Sequence, residues 1–455
     1  MNDICETIIS HKLYLNNDKH IKWGFIQPLT GGFYIGARKA IGHDADWIMS
    51  FPGFADKLIK KHKNGNETIL CGNEYNLLKW LEKQHIKIPY YTFDRQPFDI
   101  DFSNIKETKI LSDDNTQPNF EDIDLVIALP VCSGLSRITT SNTKTETKDA
   151  KNSNQLFITE YTLSVIKPKM YVYENAPALY SVTGSDMRQQ LEAIALKNHY
   201  SILYYKTDTC LHDNPQKRPR TFVIFQRWQE NGKPQLPNKF GWEDIETNLI
   251  DYLDKIPEDA TQQEPIEMSH FNMALLDYTK YLFGENNWRE KSNKDLLSNI
   301  TISNKYDDFK EFIKNSCPYV TDKEFGQFNH FLDHVKYKLS INKGYYSCNC
   351  YLGPDNKVGS IQFKSMQSYL NPKYDRHYTI REALFLMGMP NDFELQGTLN
   401  ANFPKIGQNV PVRTAQFIIS QIVKILEHWD DKKQIDERKN NSNVLKQDNT
   451  KQRIE

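Results

Sequence analysis

Leu125-Val126-Ile127-Ala128-Leu129-Pro130-Val131-Cys132-Ser133-Gly134-Leu135-Ser136 is an apolar run that ends in a cysteine held between a proline and a glycine. Five apolar residues in succession, after the polar Asp122-Ile123-Asp124, read as a strand buried on both faces, because a half-exposed strand would alternate. Pro130 and Gly134 then turn the chain out of it. Such a strand carries Cys132 to the carboxyl edge of a sheet, where open α/β sheets gather their reacting groups. Taken alone, the cysteine reads first as a buried core thiol.

Strand and helix patterns alternate on either side of this run. Upstream, Ile21 to Ile26 is a short apolar strand, Thr30-Gly31-Gly32-Phe33 a turn with paired glycines, and the small-residue stretch up to Gly42 a helix; a nucleoside-binding loop and an ordinary strand-to-helix turn share that pattern. Ala45 to Phe51 reads as the next strand, broken by Pro52-Gly53, and residues 73–84 as a helix with Leu77, Trp80 and Leu81 on one side. Residues 90–122 show little periodicity and read as an irregular excursion. Residues 137–154 contain almost nothing to bury and read as a surface loop, placed to act as a lid or as a simple insertion.

Downstream, Gln155–Ile166 predicts a helix, Met170–Tyr173 a strand broken by Glu174-Asn175-Ala176-Pro177, and Met187–Leu196 a helix. Tyr200–Tyr205 predicts a strand, and the basic turn Asn214 to Arg220 feeds another at Thr221–Phe225. The expected fold class is α/β, a mostly parallel sheet covered on both faces, with an antiparallel edge near the end. If that last strand starts at the same edge, Cys132, Glu174, Arg218 and Arg220 converge there; singly, the carboxylate and the arginines are ordinary surface groups.

A length of 455 residues allows two or three domains, and a net charge of -1 neither requires nor excludes a local basic face for nucleic acid. Seven cysteines without paired spacing, and a start with no basic-then-apolar segment, lead us to expect a reduced intracellular protein without an export signal. No run of apolar residues is long enough to span a membrane. Cys348-Asn349-Cys350 is too close-set for a zinc knuckle, so no metal is expected.

These motifs, in this order, resemble those of the cytosine-C5 DNA methyltransferases. The chain presents Gly31-Gly32-Phe33, Pro130-Val131-Cys132-Ser133-Gly134, Glu174-Asn175-Ala176-Pro177, Gln216-Lys217-Arg218-Pro219-Arg220, Arg381-Glu382 through Gly388-Met389-Pro390, and Gly407-Gln408-Asn409-Val410. The resemblance implies an S-adenosyl-L-methionine-dependent methyltransferase fold with an inserted target-recognition domain. It implies catalysis by Cys132 as nucleophile, Glu174 on the pairing edge of the base, and Arg218 and Arg220 on the cytosine and the phosphate backbone. It puts the cofactor against Thr30, Gly31, Gly32 and Phe33, Pro130, and Gln408, Asn409 and Val410. The implied partner is double-stranded DNA; the protein is expected to be a monomer when unbound, in a bacterial or phage-infected cytoplasm, and its pairing with a cognate endonuclease is left open.

The expected division is a first part of the core over 20–225, a target-recognition region over 226–375, a segment completing the core over 376–431 and a disordered tail over 432–455. Lysines and tyrosines, among them Lys336, Lys338 and Tyr345-Tyr346, give the recognition region phosphate-binding and stacking groups, although acids are frequent there too. The chain departs from the family in three respects, one of them an unusually long gap from Gly32 to Cys132. Proline stands one position before its usual place at the cysteine, and the strand ending at Phe51 lacks the acid that grips the cofactor's ribose, Asp46 being too early and Glu74 too far beyond. Methylation of cytosine in a structured RNA, and a non-catalytic nucleic-acid-binding relative, are the alternatives.

Overall fold

In a computed structural model of the chain, the described residues are 20–96, 102–130, 145–229, 245, 247–285, 287–288, 306–326, 330, 357–361 and 369–429. Cys132, Ser133, the first part of the expected lid, Lys336, Lys338, Tyr345, Tyr346, Cys348, Cys350 and the tail over 432–455 lie outside them.

The strands in chain order are β1 (Trp23–Ile26), β2 (Trp47–Ser50), β3 (Lys57–Lys61), β4 (Glu67–Cys71), β5 (Tyr90–Phe93), β6 (Ile110–Leu111), β7 (Leu125–Ala128), β8 (Met170–Asn175), β9 (Tyr200–Asp208), β10 (Gln216–Lys217), β11 (Pro219–Arg227) and β12 (Val358–Gly359). Eight of them form one sheet in the order β6-β5-β2-β1-β7-β8-β11-β9. The five from β5 to β8 are mutually parallel, while β6 and β11 run antiparallel to their neighbours. The antiparallel strand β11 therefore lies inside the sheet, between β8 and β9, and not at its edge as expected. Thr221 to Gln226 are all buried there, and the run Phe222-Val223-Ile224-Phe225 is apolar enough to be covered on both faces.

The unbroken apolar run of β7 has its predicted cause. Leu125 and Ile127 join a core on one face, and Val126 and Ala128 join the core on the other. On the first face lie helices α1 (Gly32–Ile41) and α10 (Val412–Glu427), so the far end of the chain packs on the near one. On the second face lie α3 (Thr145–Tyr161), which continues through the wider turn Thr162–Ile166, and α4 (Ser185–Lys197).

Three expectations change. Residues 145–154 belong to α3 and not to a loop, since Glu, Lys and Ala there favour a helix once Leu156 to Ile158 anchor its far end. The 90–122 excursion opens with β5, and β6 follows. Between β2 and α2 (Tyr75–Lys83) the chain makes a hairpin, β3 with β4, in a span without any predicted element. Helices α5 (Leu249–Leu253), α6 (His270–Phe283) and α7 (Tyr306–Ser316) belong to the 226–375 region, where Ala274, Tyr278, Trp288 and Ile313 form a small separate core. Helix α8 (Ile380–Leu386) opens with a capping box of Thr379 and Glu382, and α9 (Leu399–Asn402) precedes the final turn into α10.

Candidate active site

The turn from β1 to α1 is built against the chain's own far segment. Gly31 caps α1 at φ 102, a backbone that L side chains avoid. The Gly32 amide donates to Asn409 Oδ1 at 2.6 Å, and a Cβ on Gly32 would meet the Val410 carbonyl at 2.2 Å. Thr30 Oγ1 donates to the Lys405 carbonyl at 2.9 Å. Thr30, Gly31 and Gly32 are thus brought together with Asn409 and Val410, with Gln408 the last residue of the preceding turn. Phe33 turns the other way, into the core edge-on to Phe25 and Phe222. The paired glycines therefore answer first to the approach of the 405–410 segment.

An acid does reach the end of β2: Glu74, carried back from 24 positions beyond Ser50. The hairpin returns the chain to the sheet, and Glu74, fully buried, takes Ser50 Oγ at 2.5 Å and the Tyr90 hydroxyl at 2.8 Å. Its distance in sequence made it look unsuitable; the signal that could have found it is the return turn Cys71-Gly72-Asn73 just before it. Asp94, at the carboxyl end of β5, is a second acid on this edge that the sequence reading left unassigned. Gln27, just past β1, keeps its buried Oε1 without a hydrogen-bond partner among the described residues. A buried acid and an unmet acceptor at the ends of adjacent parallel strands suit a nucleoside-bearing cofactor, whose hydroxyl and amino groups would be donors to them.

Burial pushes the Glu74 carboxyl up to about 8, against the bonds from Ser50 and Tyr90 that favour its charge. The folded protein thus keeps this proton through neutrality, whereas the unfolded chain releases it near its ordinary 4.5. The sign follows: stability from this group is complete below about 4.5 and is lost as pH rises toward 8. Glu74→Gln retains the shape without the titration. Its stability relative to wild type is expected to rise between pH 5 and 8, by on the order of 4 kcal/mol at most. Urea midpoints at the two pH values check this; parallel pH profiles would mean that the folded carboxyl is already ionised.

Pro130 is buried just beyond β7 and leads into the residues around Cys132. One strand over, Glu174 sits near the end of β8, and Arg220 Nε lies 2.5 Å from its Oε1, with side-chain exposures of 16% for the arginine and 8% for the acid. The strand end is fixed from behind: Asn175 donates to Gln155 at 2.7 Å, Gln155 to the Tyr173 hydroxyl at 2.7 Å, and the Ala176 amide to Asn175 at 2.7 Å. Glu174 is therefore a nearly buried acid on a braced strand end, with the Arg220 guanidinium beside it but no hydrogen bond to its Oε1 among the described residues.

Arg218 turns onto the chain's own backbone. It is buried, and its guanidinium donates to the carbonyls of Ile361 at 2.5 Å, Gly407 at 2.9 Å and Asn409 at 2.7 Å. Gln216 does similar work, accepting from the Ile361 amide at 3.0 Å and donating to Leu386 at 3.2 Å, while β10 pairs with β12. A guanidinium turned onto three carbonyls ties Ile361 and the 405–410 segment to the sheet. Two positions on, Arg220 reaches Glu174. Arg381 is a second such tie, donating to Thr261, Pro390 and Phe393.

A model of the C-5 cytosine-specific DNA methylases matches residues 86–424. Comparison with curated proteins finds no match. Among solved structures, an Escherichia coli prophage protein described as a DNA modification methyltransferase aligns over 90% of this chain and 99% of its own, at 15% identity and a TM-score of 0.49. An Entamoeba histolytica methyltransferase aligns over 90% and 98%, at 13% identity and a TM-score of 0.46. The Dnmt2 methyltransferase of Schizosaccharomyces pombe aligns over 90% and 99%, at 13% identity and a TM-score of 0.43. The family match begins after the glycine turn and Glu74. It takes in the strand leading to Cys132, the Glu174–Arg220 pair and the final 405–410 segment, and on that span the chain belongs to the C-5 cytosine-specific DNA methylases, a family of adenosylmethionine-dependent methyltransferases.

Proposed function

We propose that this chain methylates C5 of cytosine in double-stranded DNA, with the base turned out of the helix and held as a covalent adduct of Cys132. The observation that carries the reading is the Glu174–Arg220 pair, nearly buried at the carboxyl edge of the sheet and one strand from the end of β7. A stacked base cannot reach such a group, so the target must be extruded.

The chemistry accounts for each role. C5 of cytosine is a weak nucleophile until the ring's conjugation is broken, and a thiolate adding to C6 does that. Cys132 supplies the sulfur. Electron density then moves toward N3, where Glu174 holds the proton on the pairing edge, with the charge of Arg220 beside it. Bound S-adenosylmethionine supplies an electrophilic methyl group. Glu74, Gln27 and the Thr30–Gly32 backbone would hold its nucleoside part, and Pro130 would shape the wall between cofactor and base. Loss of the C5 proton to a base and departure of the Cys132 sulfur restore the aromatic ring and the enzyme.

Residues 226–375 are the proposed sequence reader, because the motifs assigned to chemistry lie before and after them and α6 and α7 have their own core. The test is incubation of the full chain with tritiated adenosylmethionine and separate duplex DNA and structured RNA, followed by digestion to nucleosides. Label in 5-methyldeoxycytidine, with bisulfite mapping to one short motif, is expected. Label in RNA alone would move the substrate to RNA, and none in either would leave a non-catalytic relative.

A further inference from the structure

The β3–β4 hairpin contributes almost nothing to either core, yet it is firmly rooted. Residues 57–66 are all exposed. At the root, the Gly72 amide donates to Asp56 at 2.6 Å, Ile69 to Thr398 Oγ1 at 2.8 Å and Cys71 to Asn402 Oδ1 at 3.0 Å. A solvent-facing ribbon held this well is presented to something outside the chain.

Its charge says what. The strand and turn over 57–63 carry Lys57, Lys60, Lys61, His62 and Lys63 without an acid, in a chain whose net charge is -1. Lys61 meets Glu67 at 3.4 Å, but these side chains are 79% and 46% exposed, so the pair neutralises little. Leu58 and Ile59, 64% and 56% exposed, stand between lysines and form no continuous face for lipid. Position agrees with charge. The hairpin springs from the carboxyl end of β2, three strand spacings from β8, or about 14 Å across the sheet edge on which Glu174 stands. Its five-residue strands reach roughly 17 Å outward, and a two-stranded ribbon is an element that a duplex groove admits.

We infer that the β3–β4 hairpin is an accessory arm that binds the phosphate backbone of the same DNA duplex whose cytosine is delivered to Glu174. The inference rests on duplex DNA being the substrate. The arm adds sequence-blind affinity and orients the duplex along the sheet edge, leaving base recognition to other parts of the chain.

The test is the full-length triple variant Lys60→Gln, Lys61→Gln, Lys63→Gln, whose side chains are exposed and outside the catalytic and cofactor groups. Binding of a plain duplex is measured across a salt series, with binding of S-adenosylhomocysteine and of anionic phosphatidylserine vesicles alongside. The slope of log affinity against log salt is expected to flatten by about 0.9 for each phosphate that the variant no longer neutralises, or roughly 2 to 3 in all. Affinity at low salt should fall at least about tenfold, while S-adenosylhomocysteine binding and single-turnover transfer on saturating duplex stay at wild-type values. An unchanged duplex slope, in a protein that still methylates duplex, overturns the arm alone. Vesicle binding abolished in the variant with duplex binding untouched also overturns it, in favour of a membrane-binding role. A wild-type chain that neither binds nor methylates duplex overturns both the arm and the substrate reading.

Discussion

Cys132→Ser is expected to retain duplex binding and to lower methyl transfer roughly a thousandfold or more, because a serine hydroxyl is scarcely ionised at neutral pH and is a poor nucleophile toward C6. The expectation stands on placement. β7 is buried on both faces and pairs with β1 on one side and β8 on the other, so its carboxyl end, with the buried Pro130 just beyond it, lies between the glycine turn and Glu174. The proposed mechanism calls for a nucleophile close to that strand end, between cofactor and base. Rate loss alone would not distinguish a nucleophile from a residue that shapes the loop, so a trapping experiment is decisive. With 5-fluorocytosine at the target, the fluorine cannot leave as the C5 proton does, and the adduct should survive denaturation in wild type and be missing in the serine variant. Mapping of the adduct to another residue, or its formation in the serine variant, would remove Cys132 from the mechanism.

How far the sequence could be read depended on burial. The run Leu125–Leu129 is apolar because both faces of β7 are covered, and the same pressure wrote the strands at Met170 and Phe222 legibly. The β3–β4 hairpin left no such pattern, since exposed residues answer to no core, and its absence from the prediction made Glu74 look misplaced. Strand order is a long-range property: nothing local in Thr221–Phe225 says that it will insert between β8 and β9. The Gln216-Lys217-Arg218-Pro219-Arg220 motif shows a further limit. Residue identity and spacing could not separate Arg218, which ties down carbonyls of distant segments, from Arg220, which reaches Glu174; only the approach of residues 361 and 407–409 does so.

Glu174→Gln should lower single-turnover methyl transfer by about 10² to 10⁴, the range expected when a positioned acid is removed. The amide keeps the size and one acceptor of the carboxyl but cannot hold a proton for N3. Cofactor affinity should change little, because Glu174 lies on the β8 side of Pro130, away from the β1–β2 ends where Glu74 and Gln27 stand. The ion pair complicates the reading. With its partner neutralised, Arg220 keeps a positive charge at 16% exposure, so the single variant should also lose about 1 to 3 kcal/mol of stability. The double variant Glu174→Gln, Arg220→Gln separates the two effects: replacing both charges leaves neither unpaired, so stability should return toward wild type while the transfer rate stays low. Thermal unfolding read beside single-turnover rates decides it. Recovery of both in the double variant would make Glu174 an ion-pairing carboxylate at a strand end, and the acid acting on the base would have to be sought elsewhere on the sheet edge.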